Sequence, residues 1–167
     1  MEKMNTTYTL KDRLQRTRYY MGGYWTFIAT GRDTNGQFSL IEANLRKGIE
    51  PPAHTHTLED ESFQLLEGKM IFMIDGQEIH LEAGNFIHLP KGVNHGFKLL
   101  SDTAKVLIHL VPAGLEDMFI ELSQPADKLA YPPAPIGPPS PEWLQKAAAL
   151  QQRFGITLID NSKIKAG

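Results

Sequence analysis

The segment Gly48-Ile49-Glu50-Pro51-Pro52-Ala53-His54-Thr55-His56-Thr57-Leu58-Glu59-Asp60-Glu61 sets two imidazoles one residue apart and follows them with a run of three carboxylates. On an extended chain, residues two apart share a face, so His54 and His56 project together. At a rise of about 3.3 Å per residue their Cα atoms are about 6.6 Å apart. Two rings at that separation can converge on one cation at about 2.1 Å from each ring nitrogen. Glu61 opens the next strand-like stretch and can reach the same point. His95, after the turn Pro90-Lys91-Gly92, can close the site from a neighbouring strand. Three neutral nitrogens and one anionic oxygen make a donor set of borderline hardness, suited to a first-row divalent ion.

Short strands surround this segment. Tyr24 to Thr30 is β-branched and aromatic, and Asn35-Gly36 predicts a hairpin turn into Phe38 to Ala43. Met70 to Ile74 runs into Asp75-Gly76, and Gln77 to Glu82 returns. Asp-Gly accepts the positive φ angles of a two-residue turn, so this hairpin is the clearest local signal in the chain. Further strands are expected at Phe86 to Leu89, His95 to Leu99 and Lys105 to Val111. No helix-length periodic segment interrupts them, which argues for a sandwich or barrel and against a parallel α/β sheet.

Past Pro112 the pattern changes. Leu115 to Leu122 predicts a short helix with Leu115, Phe119 and Leu122 on one face. Tyr131 to Pro141 contains six prolines and is expected to form an extended surface strap. Ser140 is then a helix N-cap with Pro141 at the first helical position, and Gly155 ends that helix. Within it Trp143, Ala147, Leu150 and Phe154 form one stripe. The expected organisation is an N-terminal arm over 1–22, a barrel over 23–114 and a C-terminal extension over 115–167.

Composition narrows the function classes. The chain has 167 residues, with 17 Lys and Arg against 19 Asp and Glu, a formal net charge of -2. No basic excess exists to neutralise phosphates, so nucleic acid is not an expected partner. The longest nearly apolar stretch, Val106 to Leu115, is too short to span a bilayer, and Met1 to Tyr20 is polar, unlike a signal peptide. With no cysteine, thiolate metal sites and thiol catalysis are excluded, and a cytoplasmic setting is expected.

Two strings in the chain are specific. The first reads Gly48-x5-His54-x-His56-x4-Glu61-x6-Gly68, and the second Gly84-x5-Pro90-x-Gly92-x2-His95. Together they resemble the two signature motifs of the cupin superfamily. Where the second family motif closes with Asn, Leu99 stands here, at a position that is not a metal ligand in the family. Ala29-Thr30-Gly31, Pro112-Ala113-Gly114 and the proline strap followed by a helix are similar to the small single-domain, quercetin 2,3-dioxygenase-like group. The resemblance implies an all-β double-stranded β-helix, the cupin or jelly-roll barrel, here with a short C-terminal helical extension. It also implies a central divalent first-row metal (Fe, Ni, Mn, Cu, Co or Zn) held by His54, His56, Glu61 and His95, with no further cofactor. The family allows three or four residues before the Glu; three would land on Asp60 and four on Glu61. We take Glu61, leaving Glu59 and Asp60 solvated.

The implied activity is a metal-dependent dioxygenase acting on a small phenolic or enolic compound with dioxygen, in which Glu61 is both ligand and proton acceptor. The alternatives are a non-catalytic small-molecule-binding cupin and a metal-dependent isomerase, the latter needing a basic cluster for which Arg46, Lys47 and Lys91 are the nearby cations. Strand parity puts Phe97 and Leu99 on the side of His95, and Phe63 and Leu65 on that of Glu61. Phe63, Phe97 and His109 are the expected pocket residues. His80 falls on a polar, exposed face, while His88 and His109 each lie between aliphatic residues, where a core histidine and a cavity-lining one read alike. A homodimer is expected from the family, with the Met1 to Gly22 arm available for exchange.

Overall fold

The computed structural model of the chain describes residues 10–159. The elements run α1 (Leu10–Arg13), β1 (Thr17–Tyr20), β2 (Gly23–Ala29), α2 (Gly31–Thr34), β3 (Ser39–Arg46), β4 (His54–His56), β5 (Asp60–Glu67) and β6 (Lys69–Ile74). They continue with β7 (Gln77–Glu82), β8 (Phe86–Leu89), β9 (His95–Leu99), β10 (Thr103–Val111), α3 (Glu116–Leu122), β11 (Gln124–Pro125), α4 (Pro141–Arg153) and β12 (Ile156–Leu158). Two antiparallel sheets form a cupin jelly-roll. One has seven strands in the order β11-β1-β2-β3-β10-β5-β8, and the other five in the order β12-β4-β9-β6-β7.

Period-two alternation decides which residues fill the space between the sheets. In β10, Ala104, Val106, Ile108 and Leu110 point inward and are buried, while Lys105, Leu107 and His109 are half-buried on the other face. Ile41, Phe63, Leu65, Met70 and Phe72 join them in one core cluster. The β6–β7 hairpin closes through Asp75 and Gly76, both at positive φ (47° and 84°), with Ile74 opposite Gln77. That is the two-residue turn the Asp-Gly pair dictates.

The β2–β3 connection differs from the expected tight turn at Asn35-Gly36. Thr30 and Asp33 form a capping box, and α2 inserts one helical turn before Asn35 reverses the chain in the left-handed region. Reciprocal capping satisfies the backbone donors that a bare turn would expose. The strands still pair antiparallel across this longer link.

Of the segment taken as an arm, residues 1–9 lie outside the described residues, and Thr17–Tyr20 pair with β2 and β11 of the same chain. The segment after 114 gives strands to both sheets, β11 beside β1 and β12 beside β4. Ser140 caps α4 by accepting the Trp143 N–H at 3.2 Å, and Ala147 and Leu150 are its buried positions. The strap is irregular and is tied down by Tyr131, whose hydroxyl donates to the Leu45 carbonyl at 3.3 Å. β12 was not expected; it spans three residues, too few for alternation to register.

Candidate metal centre

His54 and His56 lie on β4, and His95 stands directly opposite His54 on β9. Glu61 reaches the same point from β5 in the facing sheet. All four are buried, and one ligand atom from each lies within 4.8 Å of the others. Nε2 of His54 is 3.0 Å from Nε2 of His56, while Oε2 of Glu61 is 3.2 Å from His95 Nε2 and 3.4 Å from His56 Nε2.

The outer nitrogens decide what fits between these atoms. His54 Nδ1 is 2.9 Å from the Pro52 carbonyl, His95 Nδ1 is 3.1 Å from the Val93 carbonyl, and His56 Nδ1 is 2.5 Å from Oε1 of Glu59. Carbonyls and carboxylates only accept, so each Nδ1 carries the proton and each neutral ring offers a lone pair at Nε2. When all three rings are neutral, three lone pairs and a carboxylate face one another. Such a cluster draws positive charge, and its donors fit a divalent first-row cation.

The surroundings shift the three groups differently. Burial pushes His54 down to about 4, so it is neutral at physiological pH. Burial would also lower His56, but the hydrogen bond to Glu59 and the charge of Glu61 outweigh it and raise the group. For Glu61, burial acts upward; the His95 hydrogen bond and the charges of the surrounding imidazoles hold it below its ordinary value.

Glu59 corrects the sequence reading. It is 4% exposed, not solvated, and orients His56. The chain bends between β4 and β5 and carries Glu59 back to the ring, an i,i+3 contact that strand alternation does not predict. Asp60 stays outside the cluster, its Oδ1 accepting the Lys91 backbone N–H at 2.9 Å.

The cluster opens on a cavity of about 90 Å³ lined by Phe63, Phe97 and Leu99 and also by Trp25, Ile108 and Phe119. His109 lies outside this lining and packs edge-on against Phe38, ring centroids 5.4 Å apart. His88 is exposed on an outer face, paired with Ser62 at 2.9 Å, so neither the core nor the cavity reading holds for it. His80 is exposed. Leu99, which replaces the motif's Asn, is buried in the lining, and its N–H donates to Oε1 of Glu50 at 2.9 Å. The lining also includes Tyr20, Ile156 and Leu158, from segments that sequence reading left outside the barrel.

Comparison with known proteins agrees with this geometry. The family profile described as Cupin domain matches residues 42–111. By fold, the chain is similar to an RmlC-like cupin from Shewanella frigidimarina (TM-score 0.56, 18% identity, 68% of this chain and 96% of that one). It is similar also to a Streptomyces protein crystallised with uridine (TM-score 0.54, 14% identity, 70% and 88%). With the motifs in register and the jelly-roll formed, the chain belongs to the cupin family. In sequence it is similar to quercetin 2,3-dioxygenase of Bacillus subtilis (strain 168), 34% identical over 138 residues that cover 83% of this chain. The chain spans 40% of the length of that relative.

Proposed function

We propose that the protein is a metal-dependent dioxygenase of a small phenolic or enolic compound, with the ion held by His54, His56, Glu61 and His95. The observation that carries this reading is the buried cluster of three imidazoles and one carboxylate opening directly on an aromatic cavity. The 34% identity to a quercetin 2,3-dioxygenase supports the choice of reaction. When bound, such an ion supplies Lewis acidity toward a substrate oxygen and a redox partner for dioxygen. The chain's own groups do the rest. Phe63 and Phe97 flank the substrate ring and keep bulk water from the cluster. Glu61 accepts the enol proton at a carboxylate oxygen, leaving the substrate anionic.

The test is elemental analysis of protein purified without chelators, followed by oxygen uptake with a flavonol as probe. We expect bound iron, nickel, copper or another first-row ion, and uptake that vanishes in Glu61→Ala while circular dichroism is unchanged. Metal-loaded protein that takes up no oxygen across a panel of flavonols and diketones overturns the proposal. Saturable binding without product would then assign the protein to ligand-binding cupins. Among the described residues no helix is long and apolar enough to cross a membrane. A cytoplasmic homodimer completes the proposal; light scattering tests the dimer.

A further inference from the structure

The cavity beside Glu61, at about 90 Å³, is far below the ~300–1,000 Å³ of pockets that enclose a drug-sized ligand. A second space of about 800 Å³ adjoins it, between the β1–β2 hairpin, the end of β3 and the proline strap. Tyr20, Met21, Arg46 and Ile49 line both spaces. A ligand with one ring at the cluster and a larger body must pass these four side chains and place its remainder under the strap.

The chemistry of that remainder follows from charge. Among the described residues, the outer groove is lined by two cations, Arg46 and Lys47, and by no carboxylate, in a protein whose net charge is -2. Glu50 in the inner lining is already engaged, its oxygens accepting the Gly48 and Leu99 N–H groups at 2.8 and 2.9 Å. Arg46 forms no ion pair among the described residues. Its Nη2 donates to the Pro132 carbonyl at 2.9 Å and its guanidinium sits 5.3 Å from the centre of the Tyr131 ring. These contacts hold the fork in place while leaving it donors for a ligand. A half-buried, pre-positioned guanidinium matches the geometry of a carboxylate. Lys47, exposed and bonded to the Leu100 carbonyl at 3.3 Å, adds attraction at the rim.

We infer that the ligand of this site is an aromatic compound bearing an anionic group, and that Arg46 receives that group at the junction of the cavity and the groove. The inference rests on reading the inner cavity as the substrate site, and makes Arg46 a specificity-determining residue.

The probes are 4-hydroxycinnamate and its neutral methyl ester, titrated against the metal-loaded protein. Tryptophan fluorescence reports binding, because Trp25 lines the inner cavity and Trp143 the groove, and the chain has two tryptophans. The acid is expected to bind about tenfold or more tightly than the ester, the scale of a charge-assisted hydrogen bond. Arg46→Gln should remove that preference and leave ester affinity nearly unchanged. Equal affinity of the two probes, no saturable binding of either, or a preference that survives Arg46→Gln overturns the inference; the last would mean that the anion goes to the cluster instead. Should the variant not fold, salt decides. Between about 20 and about 300 mM sodium chloride the wild-type acid affinity must fall and the ester's hold, and a flat response for the acid overturns the inference. Oxygen uptake plays no part here. A protein that prefers the acid but consumes no oxygen keeps this inference and loses the dioxygenase reading.

Discussion

Glu59 and Glu61 are two residues apart and do different work. Glu61 faces the three Nε2 atoms, whereas Glu59 holds the far nitrogen of His56 and so fixes which nitrogen of that ring offers a lone pair. Removing such an outer partner typically lowers metal affinity 10–100-fold, roughly the loss we expect for Glu59→Ala in competition titration with a chromophoric chelator. Glu59→Gln should recover most of it, because the amide oxygen can still accept from Nδ1–H. A Glu59→Ala protein that binds metal like the wild type would leave His56 oriented by its backbone alone.

Two short elements carry predictions of their own. In α2, Asp33 accepts the backbone N–H and hydroxyl of Thr30 and pairs with Arg16. Burial would raise its pKa, but the Arg16 and Thr30 hydrogen bonds and the Arg16 charge hold it below the ordinary value. A depressed folded pKa means a stability contribution that is complete above the unfolded value, about 4, and lost as pH falls through the folded one. Asp33→Asn is therefore expected to cost about 1 kcal/mol at neutral pH, the scale of a lost cap and a partly exposed ion pair. Urea melts of the two proteins should converge in acid. A gap that widens on acidification would contradict the assignment. At the other end, Gly155 turns α4 into β12 at φ 69°, and a Cβ there would lie 2.3 Å from Thr57 Oγ1. Gly155→Ala should lower stability by about 1–3 kcal/mol, read as a drop in melting temperature. Because β12 pairs with the strand bearing His54 and His56, the variant should also bind metal less tightly.

For the whole molecule, the buried cluster sets folding against charge. Four potential ligand atoms, one of them on a buried carboxylate, lie within 4.8 Å of one another. An ion that binds the folded chain only, at about 100 times its Kd, adds about 2.7 kcal/mol. For a chain of this size that is a rise in melting temperature of roughly 5–10 °C, which EDTA should reverse in a thermal scan. No rise with any first-row divalent ion would argue against a metal site. The sequence by itself determined the strands with clear alternation, the Asp75-Gly76 turn, the cap of α4 and the order of the motif residues, because each depends on near neighbours and a fixed period. Only the tertiary structure decided that Glu59 is buried, that His88 and His109 lie away from the cavity, that α2 replaces a tight turn, and that β12 and Arg46 wall the site. Those outcomes depend on which distant segments meet, and no local repeat in the chain records that.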